Sequence, residues 1–352
     1  MVRAWDALAD CAVEPNPFLE SWFVLPSLRE LDPEERVRLL RFECGGRLAG
    51  LMPLVREKRY YGKRIAHLAG WTHPNSFVGA PLIAPGHERK FWRHLFDWAD
   101  QNAGTALFLH LSDIPLDGAI HEALETVLAE QGRPGGMVHS SERAMLQSKS
   151  TPEDYFTASL SSKERRELKR KLARLSEMGD LRFVHAHGDD GLDEWTDRFL
   201  ELENAGWKGK AGSSLTAFEC NEHLFRHAVA GAARRGKLER LSLTLDGRPI
   251  AMLSSFISLP GGFGFKCAFD ETYRRYSPGM LLQCEHLMVL EHRQIAWFDS
   301  CADRANATVD RLWRERRRMG RFSVGIGGGL RKAMFRRLLA AEVQRADMPE
   351  AL

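Results

Sequence analysis

The chain has 352 residues, 44% of them hydrophobic and 28% charged, with 30 Gly and 15 Pro. This composition excludes disorder, collagen and coiled coil as overall descriptions, and the length predicts two domains or one large one. Fifty basic against 47 acidic residues leave a net charge of +3, too balanced for a global nucleic-acid binder.

The distribution is less even than the total. From Arg311 to Arg337 ten Lys/Arg face a single acid, Glu315. The six Cys (Cys11, Cys44, Cys220, Cys267, Cys284 and Cys301) form no Cys-x-x-Cys pair, which predicts reduced thiols and neither a disulfide nor a metal framework. The first ten residues contain acids and no apolar stretch. No apolar run approaches the roughly 20 residues of a membrane span, so a cytoplasmic protein without a signal peptide is expected.

In chain order, residues 39–43 and 48–54 read as two strands around Gly45-Gly46. A helix is predicted over 88–102 and a buried strand over 106–111. The polar, Gly/Ser-rich stretch 131–151 marks a domain boundary, giving domains 1–150 and 151–352. Ser161 and Glu164 then form a capping box for a helix whose body, 163–175, carries seven Lys/Arg and two Glu. That run is either a solvated face or a seat for an anionic partner. A second helix is predicted over 190–203, a hairpin over 241–257 around Asp246-Gly247, and a strand over 264–270. Residues 280–291 read as helix, 295–299 as a short strand and 309–318 as a short helix. The second half is thus a mixed α/β unit.

The most informative stretch is strand, loop and helix around Asp270, Tyr273, Arg274, Arg275, Tyr276, Ser277, Pro278, Gly279 and Met280. A strand that ends in a small-residue loop before a helix N-terminus presents backbone N–H groups to a phosphate. Pro278 has no N–H to lose in a first helical turn, and Gly279 lets an anion approach the backbone. A second cluster, Glu203 to Gly209, ends a helix and puts Trp207 and Lys208 on a Gly-rich loop. Asp299 closes the short strand. Leu330 to Leu339 can form an amphipathic cationic helix, for which an anionic membrane surface and packing on the protein are both open. The glycines 325–329 read as a hinge, and His67, His73 and His110 have no metal-ligand spacing.

These residues carry a family resemblance. "SSKERRELKRKLARL", "ELENAGWKGKAG", "LDGRPIA", "FKCAFDETYRRYSPGMLL" and "WFDSCA" resemble the cellulose-biosynthesis-type acetyltransferases, the CelD/BcsL group of tandem-GNAT proteins. Arg274-x-x-Ser277-x-Gly279 approximates that superfamily's pyrophosphate loop, with Ser in place of the first Gly. Residues 160–313 carry the strongest motifs, and 1–150 fit through Asn16-Pro17-Phe18 and 74–83. The resemblance implies an α/β fold (α+β mixed sheet) of tandem GNAT-like domains in a Fem-like architecture, with the acyl-donor site in the second domain.

It also implies transfer of an acyl group from a coenzyme A thioester, used as co-substrate with no permanent cofactor and no metal. The acceptor is expected to be an amine of an envelope precursor, a lipid amine (such as a long-chain base) or a sugar, in lipid or polysaccharide biosynthesis. Glu203 is the candidate base, with Asp270 second, and Tyr273 or Tyr276 would protonate the leaving thiolate. Arg274, Arg275, Ser277, Pro278, Gly279 and Met280 would hold the coenzyme A pyrophosphate. Trp207, Lys208, Lys266 and Asp299 would shape the acceptor side. The expected location is cytoplasmic, with a peripheral position at the inner face of the membrane if the cationic tail binds lipid. No nucleic-acid partner is expected in this reading. Two rivals stay open: a Fem-type ligase using aminoacyl-tRNA, and a non-catalytic GNAT scaffold.

Overall fold

The computed structural model describes residues 1–302 and 307–346. Its strands are β1 (Arg38–Cys44), β2 (Arg47–Glu57), β3 (His67–Gly70), β4 (Leu82–Ile83), β5 (Phe108–Pro115), β6 (Gly135–Leu146), β7 (Leu181–His187), β8 (Leu238–Leu245), β9 (Arg248–Ser258), β10 (Gly261–Phe269), β11 (Trp297–Asp299) and β12 (Glu315–Gly325). Its α-helices are α1 (Val2–Ala9), α2 (Ser21–Leu31), α3 (Glu88–Gln101), α4 (Ala119–Glu130), α5 (Pro152–Ser159), α6 (Ser162–Ser176), α7 (Leu192–Ala205), α8 (Trp207–Lys210), α9 (Glu219–Arg234), α10 (Pro278–His286), α11 (Ala307–Leu312) and α12 (Gly329–Ala346).

The chain forms two compact units: Met1–Val24 with Asp32–Glu142 and Arg317–Leu352, and Leu25–Leu31 with Arg143–Arg316. This differs from a boundary at 150 with everything later in a second domain. The difference arises because β12 pairs antiparallel with β5, Gly325 opposite Phe108, which returns the end of the chain to the first unit. Residues 347–352 of the expected second domain lie outside the described residues.

In the first unit the sheet runs β1-β2-β3-β5-β12, with β4 against β2. α3 buries Phe91, Trp92, Leu95, Phe96 and Ala99 at helical spacing, and the Trp92 indole donates to the Ile120 carbonyl at 2.9 Å. The cationic helix α12 belongs to this unit. Phe335 is fully buried and stacks on Phe108 at 5.3 Å, with Leu338 and Leu339 beside it. Two of its cations meet protein acceptors: Lys332 Nζ lies 2.9 Å from Asp100, and Arg331 donates to the carbonyls of Ala106 and Gly104. Phe335 thus packs on the protein, while Leu330, Met334, Arg336 and Arg337 are exposed. The glycine run before it is a turn whose Gly327 N–H donates to Asp100 at 2.8 Å.

In the second unit the order is β11-β10-β9-β8-β7. The Asp246-Gly247 turn has φ of 50° and 76°, the left-handed pair that a tight hairpin requires. Ser161 and Glu164 complete both bonds of the capping box on α6, which contributes about 1 kcal/mol to that helix. Alternate residues of β8 (Leu241, Leu243 and Leu245) meet Leu168 and Leu175 of α6 and Leu281 and Leu282 of α10 in one core. Residues 315–318, expected as the end of a helix, open β12 instead, because α11 stops at Leu312.

Candidate active site in the second unit

β10 and β11 run parallel for three residues only, Gly261–Phe263 against Trp297–Asp299. At Gly264 a Cβ would lie 2.6 Å from the Ser300 carbonyl oxygen, so only glycine allows the chain leaving β11 to come this close to β10. β10 is irregular between Gly264 and Lys266 and then continues to Phe269. Among the described strands, that distal half pairs with β9 alone.

The chain leaves β10 through Asp270, whose carboxylate accepts from the Thr272 N–H at 2.9 Å and starts a 3-10 turn, Glu271–Tyr276. Arg274 and Arg275 are exposed, and the Arg275 guanidinium lies 4.7 Å from the Tyr276 ring centre. Tyr273, Tyr276 and Met280 pack against the unit's core. Ser277 adopts the left-handed conformation (φ 55°, ψ 52°), and α10 begins at Pro278 with no side-chain cap. The N-terminal N–H groups of α10 therefore have no internal acceptor, the condition for anion binding. Lys171 of α6 donates from Nζ to Ser277 Oγ at 2.9 Å. The sequence marked α6 as cationic, but only the tertiary structure selects Lys171 as the cation at this turn.

The second cluster lies where α7 ends. Glu203 is 4% exposed; Lys208 Nζ donates to its Oε1 at 2.7 Å and the Leu215 N–H to its Oε2 at 2.8 Å. The predicted base is thereby committed on both oxygens, tying residues 208 and 215 to α7. α8 is a single helical turn here, where an open loop was expected, and Gly209 is required in it because a Cβ would come 1.7 Å from the Asn204 carbonyl. Trp207 is left 57% exposed. Lys266 on β10 belongs to the same electrostatic cluster. Burial pulls its pKa down to about 8, Lys208 adds to the shift, and Glu203 opposes it. Cys267 is exposed, yet the surrounding protein pushes its thiol pKa up.

Asp299 is placed differently from the other predicted residues. It is fully buried, bound through both oxygens to Arg143 at 2.7 and 2.5 Å, and it accepts from the Cys301 N–H at 2.9 Å. These bonds fix the end of β11. Arg143 carried no sequence signal, since nothing local pairs it with a residue 156 positions away. A separate groove of about 1140 Å3 runs between α7 and β7–β9 and ends at Asp270, Glu271 and Thr272. Among the described residues no group of three or more His, Cys, Asp or Glu could hold a metal ion. No helix among them is long and apolar enough to cross a membrane.

Residues 162–307, which include both clusters, match the acetyltransferase (GNAT) domain family. The second unit thus carries a GNAT acetyltransferase domain, and the protein is an acyltransferase. No curated protein sequence matches the chain. The crystal structure of FemX is similar over 96% of this chain and 98% of that one, with TM-score 0.60 and 8% identity. A conserved protein of unknown function from Bacteroides thetaiotaomicron matches with TM-score 0.59 and 12% identity, over 92% and 97% of the two chains. The C-terminal domain of a proposed lysylphosphatidylglycerol synthetase from Agrobacterium fabrum matches with TM-score 0.57 and 13% identity, over 100% and 98%. At such identities the likeness is one of fold: a mixed α/β chain of Fem-like architecture.

Proposed function

We propose that the protein is an acyl-CoA-dependent N-acyltransferase acting on an amine of an envelope precursor, a lipid amine or an amino sugar, as in the CelD/BcsL group. The observation that carries this reading is that β10 runs on past the end of its pairing with β11, just before a left-handed Ser277 and an uncapped helix N-terminus. In this reading a thioester lies along the distal half of β10, its carbonyl oxygen facing backbone N–H donors, and its pyrophosphate meets the first turn of α10 and Lys171. Arg274 and Arg275, exposed on the preceding turn, supply further positive charge.

The acceptor nitrogen attacks the thioester carbonyl carbon, the C–S bond breaks, and the coenzyme A thiolate takes up a proton. Direct transfer fits better than an enzyme thioester, because a thiol with a raised pKa, as at Cys267, is a poor nucleophile at neutral pH. With both Glu203 oxygens engaged, proton removal from the acceptor falls to Lys266, whose pKa of about 8 makes the neutral amine available near physiological pH. Glu203 then orients Lys208 and holds the excursion carrying Trp207, which lines the acceptor side. Tyr273 and Tyr276 stand on the turn nearest the leaving thiolate. In this reading the protein works in the cytoplasm, at the inner membrane face when the acceptor is a lipid, where the exposed Leu330, Met334, Arg336 and Arg337 of α12 suit an anionic surface.

The test is thermal unfolding with free CoA, acetyl-CoA and a long-chain acyl-CoA. A ligand at about 100 times its Kd adds roughly 2.7 kcal/mol to the folded state. Stabilisation by a thioester supports the reading, and the chain-length preference separates metabolite from lipid chemistry. Stabilisation by aminoacyl-tRNA alone supports the second reading, a Fem-type ligase, which the exposed Lys163, Arg166, Lys169, Arg170 and Arg174 of α6 favour.

A further inference from the structure

The first unit holds a groove of about 860 Å3 between β1, β2 and the C-terminal half of α3. Its base is Leu40, Leu54 and Leu68, none more than 6% exposed, and Trp98 and His94 of α3 line it too. Around it stand Arg36, Arg38, Arg41, Arg56 and Lys58, and Glu34 is the single acid among the described residues lining it. Register explains the arrangement. Arg38 lies opposite Leu54 and Leu40 opposite Met52, so Arg38, Leu40, Leu54 and Arg56 share one face of the sheet.

Only Arg36 of these cations meets a carboxylate among the described residues, Glu57 at 3.1 Å. Arg38 donates to the Glu35 carbonyl at 3.1 Å, and Arg56 to the Asn102 carbonyl, which fixes its guanidinium against Gly104. A solvated sheet face scatters its cations over an exposed surface. Here they ring a recess in which the half-buried rings of Trp98 and His94 stand among the cations, within the volume range of small-molecule sites.

We propose that this groove binds an amphipathic anion, a phosphate or carboxylate joined to an alkyl or aromatic group. The anion meets Arg38, Arg56 and Lys58, and the apolar part lies on Trp98 and the alkyl stems of the cations. The site is separate from the acyltransferase reading and stands or falls without it.

Binding is measured by calorimetry and tryptophan fluorescence on the full chain, with monododecyl phosphate below its micelle concentration. Inorganic phosphate and phosphatidylglycerol–phosphatidylcholine vesicles are the other probes. Monododecyl phosphate binds at least roughly tenfold tighter than inorganic phosphate, because only it covers Trp98 and the alkyl stems around it. The double variant Arg38→Glu/Lys58→Glu, both positions exposed, keeps the wild-type Tm and loses at least roughly tenfold in affinity. Trp98→Phe removes most of the fluorescence change, which keeps the test decisive if the double variant folds poorly. Equal affinity for both phosphates, an unaffected double variant, a fluorescence change that survives Trp98→Phe, or binding to vesicles without binding of the monomer would each overturn the proposal.

Discussion

Lys171 Nζ sits 2.9 Å from Ser277 Oγ, so a cation on α6 is held against a left-handed turn 106 residues later. The ammonium also lies 3.8 Å from Glu167 Oε1, and in the proposed donor site it turns from the hydroxyl to the incoming phosphate.

Lys171→Met therefore weakens CoA binding by roughly tenfold, the worth of one charge-assisted hydrogen bond, while leaving pantetheine binding unchanged. Titration calorimetry with the two ligands reads this directly. An equal loss for both would place Lys171 outside the pyrophosphate site.

Gly279 separates sterics from chemistry. A Cβ there meets only Phe269, at an ordinary 3.5 Å, so Gly279→Ala folds normally and keeps donor binding within a few-fold. Gly279→Trp fills the approach to the helix N-terminus and abolishes stabilisation by CoA, with little change in the Tm of the free protein. A Trp variant that still binds CoA normally would remove α10 from the donor site.

Lys266 gives the pH dependence. Its pKa of about 8 in the folded protein lies below the ordinary 10.5, so between those values the unfolded chain binds the proton and the folded one does not. Stability relative to Lys266→Met thus rises with pH from about 8 to 10.5 and is level below 8. The same titration makes kcat/KM rise through about pH 8, a limb that Lys266→Met eliminates. Urea unfolding and a pH–rate profile give the two readouts; a kcat/KM limb that persists in the variant sinks the base assignment.

The Arg143–Asp299 pair is a fold device. Arg143→Met leaves a fully buried carboxylate without its cation and costs about 3–5 kcal/mol. Arg143→Met/Asp299→Leu costs less than the single change, because the uncompensated charge is gone. A double variant at least as unstable as Arg143→Met would show that the cost is packing.

Glu203 is tested as a positioning group. Glu203→Gln keeps an acceptor for the Leu215 N–H but loses the ion pair with Lys208, which is 25% exposed in its side chain. It lowers stability by roughly 1–2 kcal/mol and raises KM more than it lowers kcat. A collapse of kcat at unchanged KM would return the base role to Glu203.

Much of the second unit was legible in the residues. The capping box on α6, the Asp246-Gly247 turn and the strand leading into Pro278 are local statements, each settled by groups within a few positions of one another. Short-range hydrogen bonding and steric limits on φ act on any chain with those residues, so the sequence sufficed for them. It also sufficed for the cationic character of α6 and α12.

Which cation meets Ser277, which guanidinium holds Asp299, and whether Glu203 is available to accept a proton depended on segments brought together by the sheet. The return of residues 317–346 to the first unit has the same origin: β12 finds its partner in β5, some 200 positions upstream, and Phe335 its pocket against Phe108. Such pairings are chosen by burial and strand register summed over the whole fold. The local sequence fixed what each segment could be, and only tertiary packing decided which side chains stand together, because burial and electrostatic pairing are properties of neighbours in space.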